Sequence, residues 1–298
     1  MNPTTNTISK FDAWILASRP KTLLAAVVPI IVGSSLAIND GKFRPVAALI
    51  ALLCSILIQV GTNFVNDLYD FLAGTDRKER TGPQRAAASG ILSVVEMKSG
   101  IAITFGICFL LGLYLVYING WEILILGIVS IVAGIAYTAG PFPLAYNGLG
   151  DLASFLFFGL VGTVGTYYVQ AQEISSTAFW SSIPVGALIT NILVVNNYRD
   201  RIEDQSNGKN TLAVLIGERF TRIQYVLFLI ISYSILFVVY FTYKESIFVF
   251  LPLISLPLSL KLIKMIYSLK GRDLNKTLEL TAKLSALYGL LFAIGILV

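Results

Sequence analysis

Nine stretches of the chain are apolar for long enough to cross a bilayer as helices: Leu23–Ile38, Pro45–Val65, Gly100–Ile118, Ile123–Ala139, Leu152–Val169, Phe179–Val195, Ile223–Tyr243, Ile247–Leu262 and Leu280–Val298. A hydrocarbon core of roughly 30 Å takes about 20 such residues per helix. The pattern predicts an all-α membrane protein, one domain over residues 1–298, with about nine transmembrane helices bundled around a central cavity. The links after the third, fifth and seventh spans are short, whereas those after the second, sixth and eighth are long and polar, so the working surface is expected on one face.

Composition agrees. Of 298 residues, 56% are hydrophobic and 13% charged, against about a quarter charged in soluble domains, and the mean hydropathy is +0.77. With the N-terminus placed in the cytoplasm, only Lys42, Arg44 and Lys244 of the 22 basic residues fall outside, which follows the positive-inside rule. The net charge of +5 is accounted for by that bias; no basic run with interleaved aromatics points to nucleic acid. The N-terminal stretch carries no sign of a removable signal peptide. With no histidine in the chain, His-based triads, His metal sites and His proton shuttles are excluded. Cys54 and Cys108 sit inside apolar spans without metal-ligand spacing and read as small core residues.

Against this apolar background, seven of the 17 carboxylates fall in or just after two short patches at span ends. They are Asp67, Asp70, Asp76 and Glu79 in and after Asn66-Asp67-Leu68-Tyr69-Asp70, then Asp200, Glu203 and Asp204 in and after Asn196-Asn197-Tyr198-Arg199-Asp200. Residues three and four apart share a helix face, so Asn63, Asp67 and Asp70 are expected on one stripe and Asn196, Asp200 and Asp204 on another. A helix C-terminus already carries about half a negative charge. Carboxylates gathered there, at a membrane edge, imply a cationic ligand.

The donor set of carboxylates and amides is hard-oxygen chemistry, suited to magnesium or calcium. Magnesium commonly binds one or two carboxylates together with substrate phosphates, so two acidic walls facing each other suit a Mg-bridged diphosphate. Thr62-Asn63 before the first patch and Thr190-Asn191 before the second suggest a degenerate repeat, its helices around 45–98 and 179–222 supplying opposite walls of one site. Lys209, in Gly208-Lys209-Asn210-Thr211-Leu212, and Arg77, beside the first patch, suit the remaining diphosphate charge. Arg19-Pro20-Lys21-Thr22 opens the first span on the same face, where an anion would stabilise Arg19 and Lys21; an interfacial anchor explains them as well. The Pro- and Gly-rich run Tyr137–Asp151 fits a shaped loop lining a cavity.

On these residues the chain resembles the UbiA-type superfamily of intramembrane aromatic prenyltransferases. Within it the similarity is greatest to the 1,4-dihydroxy-2-naphthoate polyprenyltransferases of menaquinone synthesis. The resemblance rests on Ala17-Ser18-Arg19-Pro20-Lys21-Thr22-Leu23, Asn63-x-x-Asn66-Asp67-x-x-Asp70 with Gly74-x-Asp76, and Tyr137-Thr138-x-Gly140-Pro141 through Asp151. Its last part is Asn196-Asn197-x-Arg199-Asp200-x-x-x-Asp204 with Gly208-Lys209-x-Thr211-Leu212-Ala213. It implies that Asp67, Asp70, Asp200 and Asp204 are catalytic and, with Asp76, hold Mg²⁺. It further implies that Asn63, Asn66, Asn196, Asn197, Lys209, Arg19, Lys21, Arg77, Tyr137 and Tyr198 bind substrate or diphosphate.

The implied reaction joins a polyprenyl diphosphate to 1,4-dihydroxy-2-naphthoate in the lipid bilayer of the cell (inner) membrane, with loss of diphosphate and CO₂. In one respect the chain departs from the pattern: many members carry Lys or Arg four residues after the tyrosine, and here Tyr137 is followed by Pro141. Another acceptor, such as 4-hydroxybenzoate or homogentisate, keeps the same motifs. A cation transporter would carry its acids near mid-span. A CDP-alcohol phosphotransferase would need Asp-Gly-x-x-Ala-Arg where the chain has Asp70-Phe71-Leu72-Ala73-Gly74.

Overall fold

The computed structural model describes residues 9–74, 86–87 and 90–298, except for the side chain of Lys21. Its long elements are helices: α1 Lys10–Ser18, α2 Leu23–Asn39, α3 Pro45–Leu72, α4 Val94–Asn119, α5 Trp121–Ala136, α6 Gly150–Ala171, α7 Ser176–Ser206, α8 Leu212–Tyr243, α9 Ile247–Ser268 and α10 Gly271–Leu297. Among the described residues there is no strand, only one isolated backbone bridge between Asn147 and Asn210. Each of the nine predicted apolar stretches falls on one of these helices. Seven are long and apolar enough to cross a membrane. The other two are shorter: α2 reaches span length only together with α1, across a 50° bend, and α5 has 16 residues.

Local sequence sets the helix ends. The hydroxyl of Ser93 and the carboxylate of Glu96 form a capping box at the start of α4, satisfying two amides that the first turn leaves open. Ser175 caps α7 through the amide of Ala178, and Thr211 caps α8 through that of Val214. Inside α8, Gly217 adopts φ 76° and ψ 174°, so a short helical segment, 212–216, stands apart from the membrane helix that follows. Two predicted spans end too early. The second continues from Val65 to Leu72 and the sixth from Val195 to Ser206, because Asn66 and Asp70, like Asn196 and Asp200, keep helical spacing and turn inward rather than breaking into a loop.

Burial orders the bundle. Of its apolar window, α7 buries 72% and α3 only 11%, which makes α7 the central helix and α3 a peripheral one. The main core joins Leu188 and Val195 of α7 to Tyr225 and Leu236 of α8, and to Tyr288 and Phe292 of α10. Between α6 and α7 the backbones nearly touch. A methyl group built on Gly159 would lie 2.9 Å from the Cα of Gly186 and 3.0 Å from the carbonyl oxygen of Ser182. This contact falls within a π-helical segment of α6, Phe155–Val164, a rare geometry that collects at functional sites. Gly186→Val is expected to cost about 2 kcal/mol, the middle of the range typical of overpacking. Thermal unfolding in detergent would read it as a lower midpoint; an unchanged midpoint would show that the two helices are free to separate.

At the end of the bundle remote from both acidic patches, side chains tie the helix ends together. Lys42 meets Glu173 at 2.5 Å, Arg44 donates to Gln172 at 3.0 Å, and Tyr167 donates to Asp40 at 2.6 Å. The hydrogen bond from Lys42 holds the Glu173 carboxyl below the usual carboxylate range.

Candidate active site

A cavity of about 1030 Å³ runs inside the bundle. One end is polar, lined by Arg19, Asn63, Asn66 and Asp70 from the first patch side and by Asn196, Asn197, Asp200, Asp204 and Lys209 from the second. The rest is largely apolar, with Phe109, Phe157, Phe158 and Val161 in its wall. Helical spacing produces this arrangement: Asn63, Asn66 and Asp70 fall three and then four residues apart on α3, and Asn196, Asp200 and Asp204 fall four apart on α7. Residues of both predicted walls thus line one cavity.

Two connections lock the walls together. The loop after α5 folds back through the bond from the Ala145 amide to the Tyr137 carbonyl, and Tyr146 then donates its hydroxyl to Asp70 at 2.8 Å. In the loop after α7, the Asn210 amide donates to the carbonyl of Tyr146 at 3.1 Å. Lys209 lies 5.0 Å from the centre of the Tyr146 ring and 3.6 Å from the Asp70 carboxylate. The positive φ of Gly148 permits close packing against Leu215, which a side chain at that position would meet at 2.6 Å. Lys209 therefore reaches across to the opposite wall.

Arg199 organises the second wall. Its guanidinium donates twice to Asp200, both bonds at 2.7 Å, and also to Asn196 at 2.8 Å and Asn275 at 2.7 Å. The side chain is only 2% exposed, and a bidentate fork of this kind fixes direction as well as distance. In the sequence Arg199 stands inside its motif without a distinguishable role, because one more basic residue on a basic face carries no signal of its own. Asp151 likewise carries no sequence signal of its own. It lies buried behind the wall, accepting from Asn197 at 3.3 Å and from Gln224 at 2.7 Å.

Other expected residues take different places. Asp67 is buried but does not line the cavity; its carboxylate accepts the backbone amides of Ala86 and Ala87 at 3.0 and 3.4 Å. The first stripe therefore divides, because residue 67 points to the chain returning over α3 while Asn63 and Asp70 point inward. Tyr198 also lies off the cavity, its ring 5.4 Å from the Arg222 guanidinium. Asn63 donates to the Ser18 carbonyl at 2.9 Å and to Thr22 at 3.2 Å, which anchors the turn carrying Arg19. Arg19 itself holds a left-handed conformation, φ 50° and ψ 68°; such strain in a non-glycine residue persists where surroundings over-determine it. Asn66 accepts from Thr138, and Tyr137 lines the cavity. Asp76 and Arg77 lie outside the described residues, as does the side chain of Lys21.

Among the described residues no three acidic or cysteine side chains converge as a metal cage. The polar end nevertheless suits Mg²⁺, which keeps waters and takes one or two carboxylates plus substrate phosphates. Asp70 and Asp204 are the carboxylates that could hold it, with the amides of Asn66 and Asn196 lining the same end, while Cys54 and Cys108 line the cavity farther along α3 and α4.

The sequence pattern of the UbiA prenyltransferase family matches residues 26–287. The chain is 37% identical to the 1,4-dihydroxy-2-naphthoate octaprenyltransferase of Escherichia coli, over 97% of this chain and 96% of that relative. With UbiA prenyltransferase domain-containing protein 1 of Dictyostelium discoideum it shares 33% identity over 97% of this chain and 88% of the other. In fold it is similar to a UbiA homologue from Archaeoglobus fulgidus solved with GPP and Mg²⁺, with a TM-score of 0.68 at 17% identity over 96% of this chain and 100% of that one.

Proposed function

The chain belongs to the UbiA prenyltransferase family and is a multi-pass membrane prenyltransferase, and from that premise we propose that it transfers a polyprenyl group from its diphosphate to 1,4-dihydroxy-2-naphthoate. The products are diphosphate, CO₂ and demethylmenaquinol. One observation carries this reading: the acid- and amide-bearing faces of α3 and α7 meet Arg19 and Lys209 at the polar end of a cavity whose remaining length is apolar. That is the shape of a diphosphate head with a long hydrocarbon tail. The acceptor is assigned from the nearly full-length identity to relatives named for it. The proposed setting is the inner membrane, with nine helical crossings, the N-terminus in the cytoplasm and the polar end opening there.

In this reading Asp70 and Asp204, assisted by Asn66, Asn196 and Asp200, are the residues that would hold Mg²⁺. When bound, the ion neutralises charge as the diphosphate departs. Arg19 and Lys209 bind the head group and stabilise the same developing charge. The allylic C–O bond breaks with its electron pair leaving on diphosphate. Phe157, Phe158 and Tyr137 keep water from the resulting allylic cation and offer it their ring faces. The ring carbon bearing the carboxylate attacks, forming the new C–C bond, and CO₂ leaves with its bonding electrons returned to the ring. Arg199 positions Asp200 and Asn196 throughout.

Purified protein supplied with Mg²⁺, a polyprenyl diphosphate and 1,4-dihydroxy-2-naphthoate is expected to release diphosphate and CO₂ in equal amounts. Chelation with EDTA is expected to stop both, and added Mg²⁺ to restore them. Prenylation of 4-hydroxybenzoate alone, or diphosphate release without CO₂, would overturn the assignment of acceptor.

A further inference from the structure

The diphosphate does not account for every cation along the cavity. Five of the described basic residues line it: Arg19, Arg199, Lys209, Lys276 and Lys283. Arg199 is committed to Asp200, Lys209 stands 3.6 Å from Asp70, and Lys283 meets Glu279 at 2.7 Å. Arg19 sits on the turn that Asn63 anchors, at the head-group end. Among the described residues no carboxylate pairs with Lys276. An ionisable residue left uncompensated beside an intramembrane cavity marks a place where substrate binds or passes.

The level of Lys276 is set by its neighbour. Asn275 also lines the cavity and accepts from the Arg199 guanidinium at 2.7 Å, and the same guanidinium holds Asp200. Lys276 therefore belongs to the polar layer of the second acidic wall. Below it Leu278 and Ala282 continue the cavity wall in apolar form, about 3 and 9 Å on at 1.5 Å per residue. Glu279 and Lys283 offset each other's charge there, so the field around Lys276 favours an anion. The acceptor of the proposed reaction is an anion of this kind, a carboxylate on a flat apolar bicycle. That carboxylate sits on the carbon that attacks, so it must approach the first prenyl carbon, beside the diphosphate and hence in this layer.

We propose that Lys276 is the cation that recognises the acceptor: its ammonium pairs with the carboxylate of the aromatic acid, while the bicyclic ring lies along Leu278 and Ala282. This inference rests on the acceptor reading above and names the residue that reads its acid group. The pair contributes to capture rather than to the chemical step. As CO₂ departs the carboxylate gives up its charge, so the ammonium stabilises the bound acceptor more than the transition state. It also selects acids over uncharged aromatic compounds, which an apolar wall alone would hold equally well.

Lys276→Gln tests this. The KM for 1,4-dihydroxy-2-naphthoate should rise about tenfold or more, while the KM for the prenyl diphosphate moves by less than about twofold and kcat holds or rises. Lys276→Arg should bring the acceptor KM back to within about threefold of wild type. Lys264→Gln, exposed on α9 and off the cavity, is the control for loss of one cation and should change neither KM. As a measure independent of turnover, 1-hydroxy-2-naphthoate should bind wild-type protein about tenfold more tightly than 1-naphthol, and Lys276→Gln should erase that difference. An unchanged acceptor KM would overturn the assignment. So would equal rises in both KM values, which would put Lys276 on the diphosphate, or a defect seen only when phosphatidylglycerol is added to the detergent, which would put it on a lipid phosphate. Wild-type protein that prenylates no aromatic acid would defeat the functional reading and this site with it, whereas any of the other results defeats the site alone.

Discussion

Asp200→Ala is expected to abolish turnover and to lower stability by about 3–5 kcal/mol, the usual cost of leaving one member of a buried ion pair without its partner. The Arg199 guanidinium is 2% exposed and places two of its bonds on Asp200, so the truncated protein must bury an uncompensated cation. Asn196 and Asn275 would still accept from it, but neither carries a charge. Replacing the pair together, as Arg199→Met with Asp200→Leu, removes the buried charge and should recover most of the stability without recovering turnover. Thermal unfolding in detergent, read beside diphosphate release, separates these effects. Should Asp200→Ala unfold at the wild-type temperature, Arg199 and Asp200 do not form a buried unit.

How much of this was legible beforehand depended on whether the signal was periodic. Apolar length located the helices, seven of them long and apolar enough to cross a membrane, because membrane spanning imposes a minimum run that few other structures need. Spacing along α3 and α7 brought Asn63, Asn66, Asp70, Asn196, Asp200 and Asp204 to one cavity. What periodicity misses is direction at a helix that is covered on more than one side. Asp67 is one position from Asn66 and three from Asp70, yet it faces the backbone of Ala86 and Ala87, a contact made by chain that lies 19 residues away. Tyr198 failed to reach the cavity for a similar reason: α7 is buried all round, so an aromatic within the motif can satisfy a partner on α8, here Arg222. Arg199 and Lys209 were indistinguishable by charge, and only the tertiary contacts separate an internal brace from a cation that crosses to the opposite wall.

That division within the first motif makes its own prediction. Asp70→Asn is expected to lower kcat by about a thousandfold, near 4 kcal/mol of transition-state stabilisation, because it removes a charge that faces the diphosphate in the proposed reaction. It should also raise the Mg²⁺ concentration needed for half-maximal rate. Asp67→Asn keeps one carbonyl oxygen for the amides of Ala86 and Ala87 and is expected to cost roughly tenfold in kcat, about 1.4 kcal/mol, with the Mg²⁺ requirement unchanged. The distinction lies in the metal titration rather than in the rate: a positioning residue slows the enzyme at every Mg²⁺ concentration, whereas a ligand shifts the curve. If both variants shift it equally, Asp67 turns to the metal once substrate binds, and its bonds to Ala86 and Ala87 are exchanged for that role.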